Sequence, residues 1–153
     1  MFNLDRFLPY HLNRTGVRLA QAFSKELANS DLTLPMWRVL AVLWHHGDLK
    51  VGDIALDATI EQSTLSRLLA SMDERGLVRR ERSKDDNRAV MVSLTPAGRD
   101  VTRSLIPWAL RFEREALRDF SEAEIETLYA LLTRIFNNAA VLPERSAEPL
   151  QDP

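Results

Sequence analysis

Small polar side chains and one arginine lie on one face of a predicted helix. The segment from Ser63 to Met72 carries apolar residues at positions i, i+3, i+4 and i+7, which predicts a helix with one buried face. The other face carries small side chains and one arginine: Ser63, Thr64, Ser66, Arg67 and Ala70. In the major groove, such side chains can reach base edges or phosphates. The same face also fits an ordinary solvated helix, because amphipathic helices normally have polar outer faces.

A predicted hairpin follows this helix directly. Gly76 is placed to end the helix, two strand-like segments cover 77–82 and 89–94, and a charged tip separates them. A hairpin tipped with Lys84 and Arg88 can reach a neighbouring minor groove, where a narrow groove attracts arginine. Asp86 can hold the Arg88 guanidinium in one orientation. The alternative is a local surface ion pair worth about 0 to 1 kcal/mol.

The spacing of residues in and after this hairpin resembles the MarR family of bacterial transcription regulators. The family's wing signature is matched by Asp86, Arg88, Val92, Leu94-Thr95 and Gly98, and the segments 63–67 and 75–80 are also similar. The resemblance covers about 4–142 and is strongest over 53–98. It implies a mainly α fold with a small β wing, in which N- and C-terminal dimerisation helices flank a winged helix-turn-helix head.

The predicted helix over 63–72 takes the place of the family's recognition helix, and the helical pattern before it agrees with the order of elements in the family. A first helix is predicted over 5–28, with Pro9 near the start of its unbroken part. Thr33 and Pro35 supply a cap and a first-turn proline for a second helix that ends near His45. A short third helix begins near Val51, and a tight turn over 58–60 leads into the recognition helix. The second helix is expected to bury Trp37, Leu40, Ala41 and Trp44.

The C-terminal part of the chain predicts two further helices. Thr95 and Pro96 form a strong helix start, and Ser121 with Glu124 forms a capping box. Both helices carry more apolar surface than one head requires, so we expect a two-fold dimer whose recognition helices lie about 34 Å apart on DNA. The expected organisation is one domain over 1–142, with the head at about 34–98, dimerisation helices at about 4–28 and 96–141, and a flexible tail over 143–153.

Composition limits the classes of protein that fit. The 153 residues carry a formal net charge of −2, with basic residues concentrated in the predicted strand and wing and acidic residues toward the C-terminus. The absence of cysteine excludes disulfides and thiol-based sensing. Apolar runs are too short to span a membrane and no leader-like N-terminus is present, which predicts a cytoplasmic protein.

Enzyme and metal sites are not indicated. Glycine-rich phosphate loops and nucleophile elbows are missing from the sequence, and the three histidines have no motif-spaced acid partner. Adjacent His45 and His46 would point about 100° apart on a helix, so only one of them could join His11 at a metal. We therefore expect no metal, no cofactor and no catalytic residue.

Side chains for a small effector lie on the first two helices. Members of the resembling family bind phenolic or carboxylate ligands between the dimer helices and the head. Candidates here combine arginines with aromatic walls, which suit an aromatic acid: Tyr10, His11, Arg14, Arg18, Met36, Trp37, Arg38 and Trp44. The tryptophans also fit an ordinary core, and the first-helix arginines also fit a solvated or interfacial surface.

The function predicted from these features is a homodimeric regulator, most simply a repressor that leaves pseudo-palindromic double-stranded DNA when a small phenolic or carboxylate effector binds. The predicted DNA contacts are Gln62, Ser63, Thr64, Ser66 and Arg67, with Arg88 in the minor groove, Asp86 orienting it and Lys84 on phosphate. The alternative is a winged-helix module for protein association that does not bind DNA. Retention of Lys84 and Arg88 in the wing favours the first interpretation.

Overall fold

The computed structural model describes residues 2–82 and 90–141. Contacts between residues divide the chain into two compact units, 1–112 and 113–153, and each is considered by itself. Helices and strands follow in the order α1 Leu8–Leu27, α2 Leu34–His46, β1 Leu49–Lys50, α3 Val51–Asp57, α4 Gln62–Glu74, β2 Val78–Arg82, β3 Val90–Leu94, α5 Pro96–Ala116 and α6 Glu122–Ala139. Short 3-10 turns at Leu4–Arg6 and Ala28–Ser30 flank α1.

Local capping explains where the helices begin. The Thr33 hydroxyl accepts a hydrogen bond from the Met36 amide at 3.4 Å, and Pro35 occupies the first turn of α2. At α6, the hydroxyl of Ser121 accepts from the amide of Glu124 while the Glu124 carboxylate accepts from the amide of Ser121. The predicted starts of both helices are confirmed.

The hydrophobic core lies in the first unit and includes residues from all of its helices. The apolar face of α4 contributes Leu65, Leu69 and Met72, all almost fully buried. Burying one such side chain stabilises the fold by about 2 kcal/mol. The remaining fully buried apolar side chains are Leu27, Val39, Leu40, Leu43, Ile54, Val78 and Val92.

Three antiparallel strands form the sheet in the order β1-β3-β2. In β3, Val92 lies between Leu49 of β1 and Arg80 of β2, and the β2–β3 register runs from Val78 with Leu94 to Arg82 with Val90. The predicted hairpin strands are therefore present, each one residue shorter within the described residues. Strand β1 was not predicted, because two residues are too short to show a sequence period.

A close backbone contact fastens the start of α5 to the base of the hairpin. The Thr95 hydroxyl accepts from the Gly98 amide at 3.0 Å and lies within hydrogen-bond distance of the carbonyls of Gly76 and Leu77. A Cβ on residue 98 would lie 1.9 Å from the Leu77 carbonyl oxygen. Gly76 itself has a φ of 69°, as the residue after a helix C-terminus often does. The Thr and Gly positions of the family signature, Thr95 and Gly98, thus take part in one structural contact.

The second unit consists of the last turn of α5, a connecting turn and α6. None of the α6 side chains is buried, and large apolar side chains remain exposed along it: Tyr129, Leu131, Leu132 and Phe136. Within this unit the hydroxyl of Tyr129 donates to the Glu113 carboxylate. That hydrogen bond, together with burial and the nearby negative charge, raises the pKa of Tyr129 above its ordinary value.

The predicted fold class, mainly α with a small β wing, is confirmed. Of the four α2 residues predicted to be buried, Leu40 is buried, Trp37 and Ala41 are half-buried, and the prediction for Trp44 is wrong. Trp44 is 38% exposed and its ring lies 5.9 Å from the Arg103 guanidinium carbon. The other buried positions of α2 are Met36, Val39 and Leu43. The predicted first helix is also interrupted, since Phe7 is extended and separates the turn at 4–6 from α1. The predicted tail, 143–153, lies outside the described residues.

Candidate nucleic-acid interface

The helix-turn-helix is formed by α3, a short turn and α4. The turn is closed by backbone bonds from Ala58 N to Ile54 O at 2.8 Å and from Ile60 N to Ala55 O at 3.0 Å. Thr59 adopts a left-handed φ of 54° at its centre. Because α4 buries Leu65, Leu69 and Met72, its opposite face must point away from the core.

All five predicted base-contacting side chains are exposed on that opposite face. The structure brings together Gln62, Ser63, Thr64, Ser66 and Arg67 within the first two turns of α4. Short side chains at three of these positions let the helix backbone approach a groove closely. The arrangement is the one that contact with base edges requires, and the roles of the individual side chains remain predictions.

The N-terminus of α4 is capped by Glu61, which the sequence analysis did not identify as a functional residue. Its carboxylate accepts from the amides of Ser63 and Thr64, each at 2.9 Å, and from the Ser63 hydroxyl. These hydrogen bonds, that of the Ser63 hydroxyl first, lower the pKa of Glu61 to about 2. Glutamate is not among the preferred capping residues, so the sequence offered little signal for this role.

Ion pairs neutralise part of the predicted basic edge. Arg80 Nε lies 3.0 Å from an Asp73 carboxylate oxygen, and Arg79 Nη1 lies 3.5 Å from Glu81. The Arg80–Asp73 pair is about one-third exposed and the Arg79–Glu81 pair about two-thirds exposed, and such surface pairs contribute about 0 to 1 kcal/mol each. The remaining predicted wing residues, Lys84, Asp86 and Arg88, lie outside the described residues.

Arg75 connects the end of α4 to the linker between α1 and α2. Its Nη2 donates to the Asp31 backbone oxygen at 2.7 Å and to the Asp31 carboxylate at 3.2 Å. Its Nη1 lies 3.2 Å from the sulfur of Met36. The side chain therefore holds the recognition helix at its C-terminal end, while the turn at 58–60 holds its other end.

The predicted effector residues do not form one site: five of them line two separate hollows, and Tyr10, Met36 and Trp44 line neither. His11, Arg14 and Arg18 line an open hollow of about 340 Å³ on α1 alone. Tyr10 lies beside them, with the Arg14 guanidinium carbon 5.3 Å from its ring centroid. One helix face cannot enclose a ligand by itself, so this group needs another surface to form a site.

Trp37 and Arg38 line the second hollow, of about 420 Å³, which lies against the turn before the recognition helix. Its other lining residues are Ala41, Val42, Asp57, Ala58 and Thr59. Trp37 is half-buried and its ring centroid lies 5.7 Å from that of Phe23. Of the remaining candidates, Met36 is a core residue and Trp44 lies at the surface. This hollow combines an aromatic wall with one arginine.

Two of the histidines lie within reach of oxygen atoms on neighbouring segments. His46 Nε2 lies 3.5 Å from an Asp57 carboxylate oxygen, and His11 Nε2 lies 2.8 Å from the Asp5 carbonyl oxygen. In the part of the chain that the structure describes, no group of three metal-ligating side chains converges. Over the same residues, no helix has the length and apolar character needed to cross a bilayer.

Comparisons with known proteins agree with this architecture. A family model described as the MarR family matches residues 32–90. The HTH-type transcriptional repressor IacR of Pseudomonas putida is 30% identical over 148 residues, covering 92% of this chain and 84% of that protein. A crystal structure of a MarR-family transcriptional regulator from Silicibacter pomeroyi superposes with a TM-score of 0.81 at 32% identity, covering 93% of this chain and 96% of that one. BpsR of Bordetella bronchiseptica, whose DNA binding is regulated by 6-hydroxynicotinic acid, has a TM-score of 0.75 at 25% identity, covering 84% and 97%.

Proposed function

Because this chain belongs to the MarR family of transcriptional regulators, we propose that it is a homodimeric repressor that leaves its operator when a small aromatic carboxylate binds. The observation that carries this proposal is the exposed polar face of α4, which points outward because Leu65, Leu69 and Met72 are buried on the other side, and which is followed directly by a β hairpin. The relatives described above are regulators rather than enzymes. Since its partner would be chromosomal DNA, we place the protein in the cytoplasm.

On DNA, α4 enters the major groove and the wing reaches the adjacent minor groove. Gln62 and Arg67 have the longest side chains on the outer face and contact base edges, together with Ser63, Thr64 and Ser66. From the sequence pattern, Arg88 enters the minor groove, Asp86 orients it and Lys84 contacts phosphate.

Binding to the DNA that flanks the protein's own gene, titrated against random duplex of equal length at two salt concentrations, tests this function. Arg67→Ala should weaken binding to the specific site by about 1 to 3 kcal/mol and leave random DNA nearly unchanged. Arg118→Ala is the charge-matched control, since Arg118 pairs with Glu115 at 2.6 Å in the second unit. Equal loss on both duplexes would remove Arg67 from the base contacts.

Exposed apolar surface on both terminal helical regions supports the dimer. On α1 the exposed side chains include Leu8, Leu12 and Leu19, and on α6 they include Leu131, Leu132 and Phe136. Large exposed apolar patches mark interaction surfaces. A second copy that covers these faces would form a two-fold interface and would place two recognition helices on successive turns of DNA.

Sedimentation of two matched variants tests the dimer. Phe136 is 67% exposed, and Phe136→Glu should shift the protein toward monomer, because a carboxylate in an apolar interface must be desolvated. Leu56 is 74% exposed on α3, outside the proposed interface, so Leu56→Glu should leave the mass unchanged. A dimer that tolerates Phe136→Glu as well as Leu56→Glu would exclude this α6 face from the interface.

The hollow at Trp37 and Arg38 is the better of the two effector sites. Arg38 can pair with a carboxylate while the Trp37 ring provides an aromatic wall, and the hollow includes the turn residues Ala58 and Thr59 that precede α4. A ligand there would contact the segment that orients the recognition helix. The regulation of BpsR by an aromatic acid supports the same ligand class.

Release of bound DNA by salicylate and by 6-hydroxynicotinate, measured by fluorescence anisotropy, tests this site. Arg38→Ala should raise the ligand concentration needed for half-release at least ten-fold, because loss of a charged hydrogen-bond partner costs about 1.5 to 3 kcal/mol. Arg14→Ala, in the α1 hollow, is the control and should release normally. The reverse result would move the effector site to α1.

A further inference from the structure

We propose that Ser63 and Ser66 contact DNA as hydrogen-bond acceptors only, so that each selects a base whose exocyclic amino group faces it in the major groove. Glu61 is the positioning residue that imposes this polarity on Ser63. The inference rests on the proposed function, since it requires α4 to lie in the major groove.

A serine hydroxyl has one hydrogen to donate and two lone pairs that accept. At Ser63 that hydrogen is donated to the Glu61 carboxylate, which also accepts from the amides of Ser63 and Thr64 at 2.9 Å. An ionised carboxylate can only accept, so the direction of the hydroxyl bond is set by chemistry and not by the placement of a hydrogen. A pKa of about 2 keeps Glu61 ionised at any physiological pH.

The hydroxyl hydrogen of Ser66 is also donated, in this case to the backbone. Its hydroxyl donates to the Gln62 carbonyl oxygen at 2.9 Å, one turn earlier in α4. A carbonyl oxygen can only accept, so Ser66 must be the donor in this hydrogen bond. Both serine side chains are exposed and therefore present lone pairs, without a hydrogen, to whatever lies against the helix.

The major groove contains few partners for such an acceptor. Adenine presents its N6 amino group and cytosine its N4 amino group, whereas guanine presents N7 and O6 acceptors and thymine presents O4 and a methyl group. A hydroxyl that cannot donate forms no hydrogen bond with N7, O6 or O4, because these atoms only accept. Ser63 and Ser66 should thus favour adenine or cytosine at the positions they face, while Arg67 supplies the donors that guanine requires.

Base analogues placed in an operator, chosen by selection of bound genomic fragments, test this polarity. N6-methyladenine and N4-methylcytosine keep base pairing and replace the outward amino hydrogen with a methyl group, whereas 7-deazapurines remove the N7 acceptor. At the positions that face the serines, N-methylation should weaken wild-type binding about five-fold, the value of one hydrogen bond. Ser63→Ala or Ser66→Ala should abolish that penalty at one position each.

The matched serine control is Ser104→Ala. Ser104 also donates to a carbonyl one turn earlier, Val101 O at 2.8 Å, but it lies on α5. Its replacement should leave every base-analogue penalty unchanged. Penalties from 7-deazapurines should be equal in the wild type and in both recognition-helix serine variants.

Glu61→Ala isolates the positioning role. Without the carboxylate, the Ser63 hydroxyl hydrogen is free to be donated to DNA, so the N-methylation penalty at the base facing Ser63 should fall about five-fold while that at Ser66 stays unchanged. Loss of a negative charge raises affinity for all DNA, and Glu74→Ala on the exposed end of the same helix controls for that effect. Circular dichroism of each variant verifies that α4 remains folded.

Two results would overturn the inference while leaving the proposed function intact. One is a serine variant that loses a 7-deazapurine penalty, because its hydroxyl then donates. The other is site-selective binding with no serine-dependent penalty from any amino methylation. A protein that binds specific and random DNA equally would overturn the proposed function and this inference together.

Discussion

Replacing Gly98 with alanine should severely destabilise the first unit. The added Cβ would lie 1.9 Å from the Leu77 carbonyl oxygen and 2.9 Å from the carbonyl carbon. Ordinary contact begins near 3.4 Å, so the two segments must separate by about 1.5 Å. Both neighbours are backbone atoms at the base of the hairpin, where a side-chain rotation cannot relieve the overlap.

The expected decrease in the free energy of unfolding has two sources. Overpacking a site that cannot relax costs about 1 to 3 kcal/mol. Separation also stretches the hydrogen bonds by which Thr95 joins the Gly98 amide to the carbonyls of Gly76 and Leu77, each worth about 1 kcal/mol. We therefore expect Gly98→Ala to lower the free energy of unfolding by at least about 3 kcal/mol and Tm by about 10 °C or more.

Urea denaturation and thermal melts at one fixed protein concentration measure the effect, because the stability of the proposed dimer would depend on concentration. The matched control is Gly52→Ala. Gly52 also lies in the first turn of a helix, but a Cβ there would meet nothing within 4 Å. The control should be neutral or slightly stabilising. A Gly98→Ala protein as stable as the control would show that the α5–hairpin contact is looser than its geometry indicates.

Three further predictions concern hydrogen bonds described above. Thr95→Val should cost about 1 to 2 kcal/mol in urea denaturation, because it removes the α5 cap; an unchanged midpoint would contradict that role. The pKa of Glu61 is lowered to about 2 from 4.5, so its carboxylate stabilises the fold above pH 4.5 and this contribution is lost as the pH falls through 2. Between pH 7 and pH 3 the wild type should therefore lose more stability than Glu61→Ala. The raised pKa of Tyr129 means that its contact with Glu113 stabilises the protein below pH 10 and is lost as the pH rises through the raised value. Glu113→Gln should accordingly move the Tyr129 step in the ultraviolet titration to lower pH, and a step that does not move would exclude the contact.

Strong local signals predicted most of the helices. Thr33 with Pro35 and Ser121 with Glu124 are short-range caps, and their geometry depends only on neighbouring residues. The period of apolar residues in α4 predicted its buried face for the same reason. Such features depend on residues that are close together in the sequence, so a sequence pattern is enough to predict them.

Features that depend on distant contacts were not predicted. Trp44 was expected in the core because it follows Trp37 by two turns, yet the packing of α2 buries the row through Val39 and Leu43 instead. Strand β1 exists only because Leu49 and Lys50 pair with β3. Its two residues have no periodicity of their own.

The outer face of the recognition helix was predicted residue by residue, but its hydrogen-bonding state was not. Periodicity assigns a side chain to a face and says nothing about which partner takes its hydrogen. The hydrogen bond from the Ser63 hydroxyl to Glu61 depends on an unusual capping residue. The hydrogen bond from the Ser66 hydroxyl to the Gln62 carbonyl depends on the rotamer of Ser66. Both depend on side-chain conformations that a periodic sequence pattern does not specify.

The outer edge of the sheet affects how copies of this protein can assemble. Strand β2 is an edge strand in the order β1-β3-β2, and after Val78 it presents only charged, exposed side chains: Arg79, Arg80, Glu81 and Arg82. Charged edges resist pairing with a strand from another molecule. Growth into open-ended filaments by strand addition is therefore disfavoured on this side, which suits the closed two-fold dimer proposed above.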